Sequence, residues 1–191
     1  KKADGTGSIT VPAETGTVLT SASSIPSSQI TGSLGITVAD QWYLTTTAQA
    51  PTGALTSNID PVDQTGSGRL GSAMVKDANG VWTFPSTGIW QVRTVYNIAN
   101  TSGATSDRAA IAIRISTDGG STFTTASDVI ASVDGVSEGR FDVGVADILV
   151  DVTSTSNVKV RFDATSFASG TFLEGRSDLR TYFTFIRLGD T

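Results

Sequence analysis

Apolar and polar positions alternate with period two in run after run along this chain. After Gly88, Trp90, Val92, Thr94, Tyr96 and Ile98 point one way, and Gln91, Arg93 and Asn97 point the other. Alternation sustained over ten residues predicts a β-strand, because a helix groups its apolar residues at spacings of three and four. The strand is entered from a β-favouring run, Val81 to Phe84, through Pro85-Ser-Thr-Gly88. Pro85 fixes φ and removes a donor, and Gly88 tolerates positive φ, so the four residues predict a tight turn.

The same reading extends to the C-terminus. Ala109, Ile111, Ile113 and Ile115 alternate with Arg108 and Arg114, and Val158, Val160 and Phe162 alternate with Lys159, Arg161 and Asp163. Within 141–152, Ile148, Val150 and Val152 alternate with Asp147 and Asp151, carboxylates expected on a solvated face opposite Lys159 and Arg161. Shorter strands are expected at 41–47, 73–76 and 122–125. Asp77 to Gly80, Asp118-Gly119-Gly120 and 153–157 carry turn residues, and 50–72, with Pro51, Pro61 and Gly66-Ser-Gly68, reads as a long polar connection. The final run, Leu179 to Leu188, places Tyr182, Ile186 and Leu188 on one face and Phe183 and Phe185 on the other, so both of its faces demand cover. About seven or eight such strands, with no window of helical periodicity, predict an all-β antiparallel sandwich or barrel.

Residues 1–38 break the pattern. They hold short β-like runs interrupted at Pro12 and Gly16 and a Ser/Thr-rich stretch with Ile25, Ile30, Leu34 and Ile36 at intervals. An arm with so little apolar surface does not offset its own ordering entropy. It is expected to be extended and to pack intermittently against neighbouring chains, with a head domain over 39–191.

Composition narrows the function. The net charge of −5, with positive residues scattered, argues against a nucleic-acid partner. The chain has no cysteine and no histidine. That excludes disulfides, Cys-based zinc sites and every Ser-His-Asp or Cys-His arrangement. No apolar run approaches the length of a membrane span, so membrane insertion is not expected. The single methionine is Met74, so the chain reads as a processed product or a segment of a longer one.

Phe84-Pro-Ser-Thr-Gly-Ile-Trp-Gln-Val, followed by about four strands and the aromatic run Thr181-Tyr-Phe-Thr-Phe-Ile-Arg-Leu, resembles the jelly-roll heads of the tumour-necrosis-factor and complement families over residues 40–190. In those heads a Phe-x-x-x-Gly-x-aromatic-x-Val signature opens a central strand, and an aromatic strand near the C-terminus sits at a trimer axis. The resemblance implies a homotrimeric jelly roll with Phe183 and Phe185 at the trimer interface. Gly7 to Pro26 is similar to the segment that precedes the terminal head in tail fibres and surface-decoration proteins of bacterial viruses. That implies a virion-surface protein whose residues 1–38 join other virion subunits and whose head meets a host-surface glycan or protein. Receptor contacts are expected in loops 50–72, 99–107, 133–140 and 165–178, where Arg140, Glu174 and Arg176 are the polar candidates. No cofactor is expected; the alternative that related trimeric heads imply is a bound Ca²⁺ ion.

No motif carries catalysis. Ser116-Thr-Asp118-Gly-Gly120-Ser-Thr122-Phe123 resembles the Asp-box of sialidase-like propellers, but it occurs once where a propeller repeats it, and reads as a self-capped hairpin. Asp60 with Asp63, and Asp147 with Asp151, are the carboxylate pairs a glycosidase would need. Trp42, Tyr43, Trp82 and Trp90 are the aromatic side chains available for stacking a sugar. The leading reading is a non-enzymatic attachment head. The alternatives are a cementing protein that braces capsid or shaft subunits, and a carbohydrate-active enzyme built on an Asp pair.

Overall fold

The long alternating run becomes the central strand of one sheet of a two-sheet sandwich. The structure, a computed structural model, describes residues 35–100, 103–134 and 141–191. Its strands, in chain order, are β1 (Ala39–Leu44), β2 (Ala48–Gln49), β3 (Gly53–Ala54), β4 (Ile59–Pro61), β5 (Val75–Lys76), β6 (Val81–Thr83), β7 (Gly88–Asn100), β8 (Ser106–Ser116), β9 (Thr124–Ser127), β10 (Ile130–Val133), β11 (Phe141–Val152), β12 (Lys159–Thr165), β13 (Thr171–Leu173) and β14 (Tyr182–Gly189). The front sheet runs β2-β13-β7-β14-β1-β4, with β11 on the other edge of β7. The back sheet runs β10-β8-β12-β6-β5, with β3 against β12 and β9 against β8. Every pairing is antiparallel. The fold is the expected all-β sandwich. The arm expected over 1–38 lies outside the described residues except for its last four.

Parity along β7 is as the sequence predicts: Trp90, Val92, Thr94, Tyr96 and Ile98 are fully buried between the sheets. Gly88 begins the strand at φ 132°, where a side chain would run into the carbonyl of Gly189, so the turn into β7 admits only glycine. Pairing with β7 then fixes the parity of β14. Phe183 lies opposite Thr94 and Phe185 opposite Val92, so both rings face inward. They are 0% exposed and join Trp82 and Phe162 in one aromatic cluster, with centroids 4.5 Å apart for Phe162–Phe183 and 5.0 Å for Trp82–Phe185. Burial of each ring contributes about 2 kcal/mol or more.

This corrects one expectation. Phe183 and Phe185 are core residues and present no surface to another chain. Both faces of Leu179 to Leu188 are apolar, so alternation alone did not say which was the core; the pairing with β7 decides it.

A second correction concerns β11 and β12. They follow one another in sequence but lie in different sheets, so Asp147 and Asp151 do not face Lys159 and Arg161. Asp147 lies across from Arg93 and Asp151 across from Ile89. Arg161 is instead bound to Asp163 by two bonds of 2.7 and 2.8 Å, and Lys159 donates to Thr83 and to the carbonyl of Thr155.

Candidate functional site

The outward face of the front sheet is where the sandwich leaves apolar surface uncovered. On β11 the inward positions Gly144, Ala146, Val150 and Val152 are buried, so Phe141, Val143, Val145, Asp147, Leu149 and Asp151 point out. Phe141 and Val143 are each 55% exposed and Leu149 is 63% exposed. The ladder registers extend these positions into rows across four strands. Val145 continues through Val95 and Tyr182 to Tyr43. The next row is polar: Asp147, Arg93, Thr184, Gln41. The third is Leu149, Gln91, Ile186, Ala39. Gln91 donates to Asp147 at 2.9 Å, and Gln41 to Thr184 at 3.3 Å, while exposed Arg93 makes no ion pair among the described residues. A shallow depression of about 200 Å³ opens in this band between Gln41, Gln91, Arg93, Tyr182, Thr184 and Ile186. A soluble monomer seldom exposes contiguous apolar surface of this kind, and such surface marks an interaction site.

Several predicted loops meet at one end of the sandwich. Asn100, the last residue of β7, donates through Nδ2 to the carbonyls of Ala104 (2.8 Å) and Asp134 (2.6 Å). The backbone of Asn100 pairs with Thr171, whose carbonyl accepts from Ala50 at 2.9 Å. The described parts of loops 99–107, 133–140 and 165–178 thus come together with the beginning of 50–72. The remainder of 50–72 does not. Gly53 to Leu55 pair with β12 in the back sheet, and residues 59–70 fold beside β1, where Val62 donates to Gln41 and Leu70 to Ala39, level with Arg93 and Gln91 rather than Asn100.

The candidate receptor residues separate in the structure. Arg140 lies outside the described residues. Glu174 is largely buried and accepts from Arg180 at 2.6 Å, and Arg180 and Arg176 both approach Asp178, at 3.4 and 3.5 Å. The Glu174 hydrogen bond is the main cause that raises the Arg180 pKa. Glu174 therefore braces the loop before β14, while Arg176, 60% exposed, is the residue of the two available to a ligand. No pattern in the sequence marks Arg180, whose role appears only once the loop folds back on itself.

None of the alternative chemistries is assembled. Trp82 and Trp90 are fully buried, and Trp42 packs edge-on against Trp82 at 4.8 Å, so these rings form no sugar-stacking platform; Tyr43 alone of the four lies on the outward band. Asp60 and Asp63 are exposed around Pro61 on an edge strand and the loop after it, and Asp147 is engaged by Gln91. The Asp118 hairpin is self-capped as expected. Its carboxylate accepts from the Thr122 hydroxyl (2.6 Å), the Thr122 amide (2.9 Å) and the Ser116 hydroxyl (2.7 Å), and the Thr122 hydroxyl bond leads in lowering its pKa to about 2. Among the described residues no three acidic side chains cluster as a metal site, and no helix is long and apolar enough to cross a membrane.

The sequence matches no family model and no curated protein. Among solved structures the fold is similar to that of Eiger TNF from S. frugiperda, with a TM-score of 0.56 and 10% identity over 82% of this chain and 95% of that one. It is also similar to murine APRIL at pH 8.5, with a TM-score of 0.51 and 10% identity over 79% of this chain and 98% of that one. At such identity the likeness is one of fold: the sandwich is a jelly roll of the tumour-necrosis-factor type, as the Phe84-to-Val92 signature and the aromatic last strand imply.

Proposed function

We propose that the chain is a non-catalytic attachment head that assembles as a homotrimer through the outward face of the front sheet. The observation that carries this is the apolar edge of that face, where Phe141, Val143, Val145 and Leu149 stand exposed along β11 and Val145 continues through Val95 to Tyr182, with the polar row of Asp147, Arg93, Thr184 and Gln41 lying between it and Ile186. Covering the remaining half or so of the three most exposed of these side chains contributes about 1–2 kcal/mol each. A trimer is the assembly that the family resemblance implies. It turns the rows of β11, β7, β14 and β1 into a shared core and leaves the end loops around Asn100 and Thr171 free for a ligand, as loops on a rigid scaffold commonly are. The virion-surface setting, with residues 1–38 joining neighbouring subunits and the head outward, follows from the resemblance of Gly7 to Pro26.

The test is binding of labelled chain to cells of the bacterial host. The expected result is saturable binding that survives removal of residues 1–34 and is weakened by Arg176→Glu. Binding lost on removal of the arm, or an absence of cell binding combined with firm association of the full chain with virions, would overturn attachment in favour of cementing.

A further inference from the structure

A cavity of about 330 Å³ lies where residues 61–69 fold over the start of β1. Its wall includes Asp40, which is 2% exposed and sits opposite Phe185 on the inward face of β1. One carboxylate oxygen, Oδ2, accepts from the Trp42 indole N–H at 2.9 Å and the Met74 amide at 2.8 Å. The other, Oδ1, is buried and has no partner among the described residues. A buried carboxylate oxygen is strongly disfavoured unless it is hydrogen-bonded, paired with a cation or bound to a metal. Both N–H groups that reach Asp40 are spent on Oδ2.

The rest of the wall says which partner suits Oδ1. Pro61, Val62, Asp63, Ser67 and Arg69 complete it. The side-chain donors are a second carboxylate and a hydroxyl, and the chain has no histidine or cysteine. Oxygen-only donor sets select hard cations over the transition metals that favour nitrogen and sulfur. Arg69 makes no ion pair with Asp40 or Asp63, so its charge stands on the same wall uncompensated and opposes a bound cation. The wall is built in advance. Val62 donates to Gln41 (2.8 Å), Leu70 and Ala39 exchange bonds of 2.7 and 3.0 Å, and Gln64 donates to the carbonyl of Ser177 (3.0 Å). Gly68, at φ 115°, leaves no room for a side chain beside the carbonyl of Val62.

We infer that this cavity is a weak site for a hard divalent cation of the Ca²⁺ type. Asp40 is the buried ligand, Asp63 the ligand at the entrance, and water fills most of the coordination shell. Two carboxylates, rather than the three or more of a tight site, place the dissociation constant on the order of 0.1–1 mM. The site rests on Asp40 and its surroundings and is independent of trimer assembly.

The test is a CaCl₂ titration of the full chain, read by calorimetry and by tryptophan fluorescence, with MgCl₂ in parallel. Trp42 reports because its indole N–H is bonded to the same carboxylate. The wild type is expected to saturate with Ca²⁺, Asp63→Asn to bind roughly tenfold more weakly, and Arg69→Gln to bind several-fold more tightly, following the charge count at the site. Asp40→Asn is expected to give no saturable signal while keeping the wild-type circular dichroism; if that variant fails to fold, the two surface variants decide the question. No saturation in the wild type up to about 10 mM Ca²⁺, a range well above that expected for such a site, would overturn the inference. So would equal affinities in wild type, Asp63→Asn and Arg69→Gln.

Discussion

The two sheets treat their outward faces in opposite ways. On the back sheet the charges are spent within the chain. Asp163, almost buried, receives Arg161 through two bonds and lies 2.9 Å from Arg114, and Arg161 also stacks over the Phe123 ring, 4.3 Å from its centroid. Lys159 is held by Thr83 and Thr155, and the Asp118 turn caps itself. On the front sheet the corresponding face carries Phe141, Val143 and Leu149 more than half exposed, beside exposed Arg93, which has no ion-pair partner among the described residues. The back face still exposes Val75 and Ile130, but on β5 and β10 at its two opposite ends rather than side by side. A face that exposes apolar residues side by side is finished only by another surface.

The largest effect is expected on the inward face of β14. Phe183→Ser with Phe185→Ser is expected to unfold the head rather than dissociate it, because each truncation removes a ring from the aromatic core at about 3–5 kcal/mol. Loss of the circular-dichroism signal or of a cooperative urea transition checks this; a folded monomer would return the two rings to an interface.

The inner side of β11 offers the next largest effect. A methyl group at Gly144 would overlap the Tyr96 ring, which spans the sandwich to donate its hydroxyl to the carbonyl of Val129. Gly144→Ala is therefore expected to lower stability by about 1–3 kcal/mol in urea unfolding, although its neighbours Val143 and Val145 tolerate change on the outward side.

On the back sheet, Asp163→Asn is expected to cost about 2 kcal/mol, the range for hydrogen bonds to charged groups, and to leave the mass in solution unchanged. A change in mass would put that face into an interface.

A pH dependence is confined to the alkaline range. Burial raises the Tyr96 pKa to about 12, above the 10.0 of a free tyrosine. The neutral phenol is the form the fold favours, so its contribution is fully present below pH 10 and is lost as pH rises towards 12. Unfolding titrations are expected to show stability falling over that window, and the fall should be absent in Tyr96→Phe.

Much of the fold was legible because alternation was one-sided wherever it was clean. β12 carries its apolar residues on a single parity, and β7 and β8 carry their bulkiest ones that way, with only Ile89, Val95, Ala99, Ala110 and Ala112 on the other; the structure turns the bulky parity of each strand into the core. β14 carries aromatic or aliphatic residues on both parities, and there the sequence had no means of choosing a core face; that choice depends on Thr94 and Val92 across the ladder. β11 was legible inward and misleading outward. Asp147 and Asp151 gave it the look of a solvated face, although Phe141, Val143, Val145 and Leu149 share their parity. The short strands β2, β3, β4, β10 and β13 have too few residues to show a period, and they form because neighbouring strands offer unpaired edges. Asp40 was invisible for a related reason: one carboxylate near the start of a strand gives no sign in sequence that its side chain points inward.

In the proposed trimer, copies of the same chain close the front-sheet face. Sedimentation equilibrium of the wild type beside Val143→Lys/Leu149→Lys tests it most directly. The expected mass is three times 19.7 kDa for the wild type, falling to 19.7 kDa in the variant with circular dichroism unchanged. A wild type that sediments at 19.7 kDa, or a variant that keeps the trimer mass, would contradict it.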